Sequence, residues 1–195
     1  MQLIYKKELD QIIQRCCAGN SRAQKQLYKL FAAKMYAICL RYMKNKMEAE
    51  DVLQEGFIRT FKKIDTYNRK GSFEGWMKTI FINVALRQLD KNKKLNQQLP
   101  IEDVIDLTVP QATISFENLD YKDLIQMVSE LPDGYRIVFI MYAIEGFTHE
   151  EIANHLNISQ GTSKSQLSRA RSLLRAKIEK INQHVESYLS EQFAG

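Results

Sequence analysis

The sequence predicts an all-α protein made of two small helical domains joined by a flexible acidic linker. Apolar residues recur at spacings of three and four through most of the chain, which is the signature of amphipathic helices. Gly and Pro, the residues that most often interrupt helices, occur only 8 and 3 times in 195 residues. The regular spacing is lost over residues 95–121. The predicted division is therefore a domain of residues 1–94, a linker of 95–121, a domain of 122–182 and a tail of 183–195.

The first domain carries apolar stripes for three or four packed helices. The stripes occupy residues 27–39, 52–64 and 76–89. Residues 65–72, between the last two stripes, lack the spacing and contain a glycine, so they predict a loop. Helices with one apolar face bury that face against one another, so a small bundle is expected here.

Charge is distributed unevenly along the chain, whose formal net charge is +5. Residues 1–94 hold 20 Lys and Arg against 9 Asp and Glu, whereas residues 95–121 hold 5 acidic residues and no basic one. Residues 122–195 are nearly balanced, with 8 basic against 9 acidic. The first domain is thus basic enough for a polyanionic partner, and an ordinary solvated helical surface is the alternative.

The cysteines and histidines do not form a metal-ligand or disulfide pattern. Cys16 and Cys17 are adjacent, Cys39 is distant, and His149 and His155 are six residues apart. We therefore expect neither a metal nor a cofactor. The first residues lack an export signal and no stretch is apolar enough to span a membrane, so a cytoplasmic location is expected.

The second domain contains a pattern typical of a helix-turn-helix. Thr148 with Glu151 forms a capping box that begins a helix, and Asn157 suits the turn that ends it. Ser159 can cap the next helix, whose Leu167 faces inward. In this motif the second helix enters the major groove of duplex DNA. The residues expected to contact bases and phosphates are Thr162, Lys164, Ser165, Gln166, Arg169 and Arg171. A helical hairpin that binds no nucleic acid is the alternative.

The passage from Glu151 to Arg171, preceded by a Leu-Pro turn and a Glu-Gly helix end, resembles the last domain of a known family. The family is the extracytoplasmic-function (ECF) group of bacterial sigma-70 factors, in which this domain reads the upstream (−35) promoter element. Ser163 stands where the family usually has Val, and Gln166 where it usually has Arg.

A segment of the first domain is similar to the family's polymerase-binding segment. The residues run from Glu48 to Phe57, and Asp51, Gln54 and Glu55 share one face of the expected helix. The resemblance implies that this face grips the clamp helices of the largest subunit of core RNA polymerase. An ordinary solvated helix face is the alternative.

The following segment resembles the family's element for opening and holding the downstream (−10) DNA. The resemblance implies single-strand contacts for Tyr67, Arg69, Lys70, Ser72, Phe73, Lys78, Asn83 and Arg87. Aromatic side chains beside a cationic track are compatible with that role. Trp76 and Phe81 are expected to be core residues rather than stacking platforms. The family often has Asp-x-x-Arg-Arg towards the helix end, where this chain has Gln88-Leu-Asp-Lys91.

Together these patterns predict a sigma factor that binds core RNA polymerase and directs initiation at promoter DNA, and not an enzyme. No Gly-Lys-Ser/Thr loop for a nucleotide is present. The resemblance implies an anti-sigma factor as a further partner and a linker threaded through polymerase, with a soluble spacer as the alternative for the linker. A stand-alone helix-turn-helix regulator and an adaptor that binds only proteins remain the competing functions.

Overall fold

A computed structural model of the chain describes residues 2–96 and 121–192, and the side chains of residues 7–92, 123–181 and 183. Within these residues every regular element is helical, which confirms the all-α prediction. The helices of the first part are α1 (Gln2–Cys17), α2 (Ser21–Tyr42), α3 (Lys46–Lys63) and α4 (Phe73–Asn96). Those of the second part are α5 (Tyr121–Ser129), α6 (Asp133–Phe139), α7 (His149–Leu156) and α8 (Gln160–Gln192).

The chain divides into two compact units, residues 1–100 and 101–195. The division falls inside the predicted linker, whose residues 97–120 lie outside the described part of the chain. Residues 95 and 96 belong to α4 and residue 121 begins α5, so the helices extend slightly into the predicted linker at both ends. The flexibility of the linker stays a prediction.

The first unit is a bundle in which α2, α3 and α4 pack against one another and α1 packs on α2. Asparagine side chains begin two of these helices: Asn20 Oδ1 accepts from the Ala23 N–H at 3.0 Å, and Asn45 Oδ1 accepts from the Glu48 N–H at 2.8 Å. Such caps satisfy backbone N–H groups that have no partner within the helix. The predicted apolar stripes supply part of the core, including Leu27, Phe31, Met35, Val52, Phe57 and Phe81, whereas Leu30 of the first stripe is 42% exposed.

In the second unit α8 packs against α6 and α7, and α5 contacts both α6 and α8. The core contains Val138, Met141, Ile152, Leu167, Ala170 and Leu174. One charged side chain is buried with it, since Arg136 is 1% exposed and its Nη2 lies 3.1 Å from Asp133 Oδ1.

The apolar stretch 135–144 is not one uniform α-helix, because its second half differs from its first. After α6 the backbone widens into a π-helical turn over Ile140–Ile144, where the Glu145 N–H donates to the Ile140 carbonyl at 3.0 Å. Gly146 follows with a φ of 79°, which confirms its predicted place at the helix end.

The helix-turn-helix prediction is confirmed in its details. Thr148 and Glu151 form the reciprocal capping box at the start of α7. Asn157 ends α7 in the left-handed conformation, with φ 52° and ψ 48°, and the Ser159 side chain accepts from the Thr162 N–H at 2.9 Å. Helices α7 and α8 are therefore joined by a three-residue connection, residues 157–159.

The recognition helix α8 is longer than the motif requires. It continues without interruption across the predicted boundary at residues 182 and 183 and reaches Gln192. In the described parts of the chain, no helix has the length and hydropathy needed to cross a bilayer.

Candidate nucleic-acid and polymerase interfaces

The outward face of α3 holds all three residues predicted to bind polymerase. Asp51 and Gln54 are exposed, while Glu55 is half-buried and accepts a hydrogen bond from Arg59 Nε one turn later. The salt bridge of Glu55 lies within one helix and both side chains are partly exposed, so it contributes little to stability. It holds the carboxylate along the helix surface beside Asp51.

Two large apolar side chains on the same face were missed by the sequence reasoning. Met47 is 72% exposed and Ile58 is 48% exposed. With Asp51 and Gln54 they follow the spacing four, three, four, which places them in one line along α3. That spacing was available as a signal, because an apolar residue on the polar face of an amphipathic helix breaks the expected pattern.

The predicted loop forms around an aromatic cluster at the start of α4. The ring of Tyr67 lies 5.1 Å from that of Phe73 and 5.6 Å from that of Trp76, and the last two are 5.3 Å apart. The Tyr67 hydroxyl donates to the Gly71 carbonyl at 2.6 Å and so closes the loop. Arg69 takes a positive φ of 61°, a conformation that non-glycine residues seldom adopt outside tight turns.

A cleft of about 500 Å³ opens between this loop and α1. It gathers five of the residues predicted for the opened strand, namely Tyr67, Arg69, Lys70, Ser72 and Phe73. Leu9, Asp10 and Ile13 of α1 form the opposite side. Asp10 was missed by the sequence reasoning, because nothing in the spacing of α1 places it beside a loop 57 residues away.

The aromatic side chains near the cleft differ in how deeply they are buried, and this affects which of them can contact a base. Phe73 is only 3% exposed and packs edge-on against Phe31 at 5.8 Å, so its ring shapes the cleft wall more than it offers a free stacking face. Phe81 is fully buried, as predicted, and Trp76 is half-buried in the aromatic cluster. Tyr67 is therefore the better placed of these rings for a base.

Along α4 the predicted DNA-binding residues do not all share one face. Asn83 and Arg87 are one turn apart and lie on the same side, which exposed Lys91 continues. Lys78 lies roughly 140° around the helix from Asn83. Asn83 and Lys78 are half-buried and each makes a further contact, whereas Arg87 is exposed.

On α8 the six residues predicted to bind DNA lie on the side opposite the core and on its two flanks. Ser165 and Arg169 are exposed near the centre of this side, together with Ser168, which was not included in the predicted site. Thr162 and Gln166 lie on the flank of α6, and exposed Lys164 and Arg171 lie on the other flank, seven residues apart.

Two tyrosines, one in α6 and one in the π-helical turn that follows it, contact two of these arginines. Arg169 Nη1 donates to the Tyr135 hydroxyl at 3.2 Å. The guanidinium of Arg171 lies over the ring of Tyr142, 5.8 Å from its centroid, as in a cation–π contact.

A further contact joins the two helices of the motif at their start. The ring of His149 stacks on that of Tyr142 at 4.6 Å, and its Nδ1 lies 2.9 Å from the Oγ of fully buried Ser163. Desolvation and the positive charges of Lys164 and Arg171 lower the pKa of His149, so the neutral ring is favoured.

Cys16 and Cys39 are buried, as packing residues are, whereas Cys17 is exposed. Burial raises the pKa of the Cys16 thiol to about 11 and that of the Cys39 thiol to about 12, so both stay protonated at neutral pH. In the described residues no three His, Cys, Asp or Glu side chains lie close enough together to hold a metal ion.

Family comparisons agree with both units. The Sigma-70 region 2 family matches residues 27–95, and the Sigma-70 region 4 family matches residues 121–174. The two matched segments together span well over half of the chain and coincide with the two helical units. Fold and sequence therefore define a sigma factor.

Individual relatives narrow the assignment. The ECF sigma factor SigW of Bacillus subtilis is 29% identical over 191 residues, which is 91% of this chain and 98% of that protein. SigE of Mycolicibacterium smegmatis is 30% identical over 155 residues, 77% of this chain and 59% of that protein. The chain belongs to the ECF group of the sigma-70 family.

A solved structure shares the fold. The sigma factor RpoE of Bartonella quintana, crystallised with the anti-sigma factor NepR, has a TM-score of 0.53 and 24% identity. The match covers 80% of this chain and 96% of that one.

Proposed function

We propose that this sigma factor docks on the clamp helices of the largest polymerase subunit with α3 and reads promoter DNA with α4 and α8. The observation that carries the proposal is the outward side of α8. There Ser165 and Arg169 stand exposed on a helix whose start is fixed by Ser159 and whose opposite side is core. A helix presented in this way fits the major groove, and Arg is suited to guanine and to phosphate.

The α3 face supports the docking half of the proposal. The carboxylates of Asp51 and Glu55 would be repelled by a phosphate backbone, and together with the Gln54 amide they suit a basic protein surface. Exposed Met47 and Ile58, at the two ends of the line, add apolar area that a protein partner can bury.

The cleft between α1 and the 67–73 loop supports the capture of an unpaired strand at the −10 element. It combines the ring of Tyr67, which suits a base, with the cations Arg69 and Lys70, which suit a phosphate. Phe73 contributes to the cleft wall. Asn83 and Arg87 would continue the path along α4, roughly 15–21 Å from its first residue, and Lys78 would contact the strand from another side.

The family also suggests one further partner and a cellular location. The sigma factor RpoE of Bartonella quintana, which shares the fold, was crystallised with an anti-sigma factor, and we extend such a partner to this chain. Since polymerase and promoter DNA are in the cytoplasm of bacteria, we place the protein there.

Run-off transcription with purified core polymerase and genomic promoter fragments tests the proposal. Wild-type protein should yield discrete new transcripts. These should be lost with the Asp51→Ala/Glu55→Ala variant through failure to bind core polymerase, and with Arg169→Ala through failure to bind the upstream element.

Matched controls separate contact loss from general damage. Glu8→Ala removes an exposed carboxylate from α1, and Lys180→Ala removes an exposed cation from the distal part of α8. Both should leave transcription at wild-type level. Absence of any transcript, with salt-sensitive duplex binding that needs no polymerase, would identify a stand-alone regulator instead.

A further inference from the structure

The first turn of α6 lies beside the DNA-facing side of α8. The hydrogen bond from Arg169 Nη1 to the Tyr135 hydroxyl, at 3.2 Å, joins residues 34 apart in sequence. One residue earlier in α6, a Cβ built on Gly134 would lie 3.4 Å from Gln166 Nε2. Two of the six side chains proposed to bind DNA therefore adjoin the same turn of a neighbouring helix.

Fixing an arginine side chain against DNA costs conformational entropy. Its long side chain loses rotamer freedom when it binds, and a guanidinium has five donors and no acceptor. A fixed acceptor on the protein limits that loss by restricting the guanidinium before DNA arrives, as preorganisation does generally. Tyr135 is half-buried and belongs to a helix packed on α8, so its hydroxyl is such an acceptor.

The hydroxyl has a second capacity. A phenolic oxygen that accepts a hydrogen bond keeps its own O–H as a donor. Tyrosine hydroxyls are among the groups that donate to DNA phosphates. Because Arg169 is exposed, a phosphate or base edge that reaches its guanidinium comes within reach of the adjoining hydroxyl.

We propose that Tyr135 is a positioning residue for Arg169, and that its hydroxyl also donates to a backbone phosphate of the upstream promoter duplex. The inference rests on the proposed DNA-reading role of α8. It extends the interface beyond the helix-turn-helix to α6, and assigns part of the base discrimination to a residue that stands outside the recognition helix.

The test uses the full-length chain assembled with core RNA polymerase, and the duplex that this wild-type complex enriches from a random library. Affinity is measured for that duplex and for a scrambled duplex, and the ratio gives the specificity. Tyr135→Phe removes only the hydroxyl and should lower the ratio roughly three- to tenfold, the size expected for one hydrogen bond. The melting temperature should stay at the wild-type value.

Two further variants isolate the coupling. Tyr28→Phe removes one hydroxyl from a tyrosine of the first unit, 43% exposed, and should leave the ratio unchanged. In an Arg169→Ala background, Tyr135→Phe should change the ratio much less than in the wild type, since the group being positioned is absent.

Other outcomes overturn the inference. An unchanged ratio for Tyr135→Phe, or an effect that persists in full without Arg169, removes the positioning role. Tighter specific binding by Tyr135→Phe would mean that the hydroxyl holds Arg169 away from DNA. If wild-type protein prefers no sequence at all, the DNA-reading role of α8 fails and the inference falls with it. This failure can be told apart from a failure of the Tyr135 role alone, because it appears in the wild-type protein.

Discussion

Ser163 is a polar residue in a fully buried position on the inner side of α8, and His149 provides its hydrogen-bond partner at 2.9 Å. An unpaired buried hydroxyl would cost about 1–3 kcal/mol, so the contact explains how a polar residue is tolerated where the family usually has an apolar one. It also ties the first residue of α7 to the first turn of α8.

The depressed pKa of His149 predicts that the second unit loses stability in acid. Because the pKa in the folded state lies below the ordinary value of 6.5, the unfolded chain binds more protons in this range. The stabilising contribution is therefore complete above about pH 6.5 and is lost as pH falls through the folded-state pKa. Thermal unfolding followed from pH 7.5 to pH 5 should show this loss.

The His149→Gln variant provides the comparison. Glutamine can still bond to the Ser163 hydroxyl but does not titrate, so the variant should lose less stability over the same range of pH. Parallel profiles for the variant and the wild type would show that another group is responsible.

At the scale of single residues, the sequence predicts local backbone conformation and capping well, but it predicts contacts between distant residues poorly. The capping box of Thr148 and Glu151 and the left-handed Asn157 were predictable, because those signals lie within one turn of sequence. The contacts of His149 with Ser163 and of Tyr135 with Arg169 join residues 14 and 34 apart. Only the packing of the helices brings these residues together.

In the first unit, α3 packs closely against α4 at Gly56. A Cβ at this position would overlap the ring of Phe81, which is itself fully buried. Glycine is otherwise unfavourable inside a helix by about 1 kcal/mol relative to alanine. Its presence here is explained by the space that the ring requires.

Gly56→Ala is therefore expected to destabilise the first unit. The overlap should outweigh the gain in helix propensity and leave a net loss of about 1–2 kcal/mol in the free energy of unfolding. Chemical denaturation followed by circular dichroism measures it. Gly71→Ala is the control, since a Cβ at Gly71 meets nothing within 4 Å. A stabilised Gly56→Ala variant would show that the ring moves aside at little cost.

The helices that carry the three apolar stripes and the loop after the second stripe were predicted from periodicity, whereas the π-helical turn was not. Residues 135–144 are apolar enough to satisfy either an α-helical or a wider spacing, so the pattern does not distinguish the two. The widening depends on which carbonyl the Glu145 N–H reaches, and that is decided by packing. The end at Gly146 was predictable because only a positive φ is needed there.

For the whole molecule, the two units each have a hydrophobic core of their own. The division between them lies within the predicted linker, an acidic, proline-containing stretch that interrupts the helical spacing. The side of the cleft formed by α1 was not predictable, because it depends on how α1 packs within the bundle.

Independent cores predict independent folding. Fragments of residues 1–96 and 121–195, expressed separately, should each give a helical circular dichroism spectrum and a cooperative thermal transition. The two spectra should add to that of the intact chain. If either fragment is unfolded alone and gains structure only when mixed with the other, the two cores depend on each other.

The uninterrupted course of α8 has a mechanical consequence. A helix of 33 residues is about 50 Å long, so the segment that faces DNA and the segment near Gln192 belong to one rod. A tilt of roughly 5° at the DNA end would displace the far end by about 4 Å. A molecule that binds the distal turns of α8 can therefore change the orientation of the promoter-reading end without touching DNA.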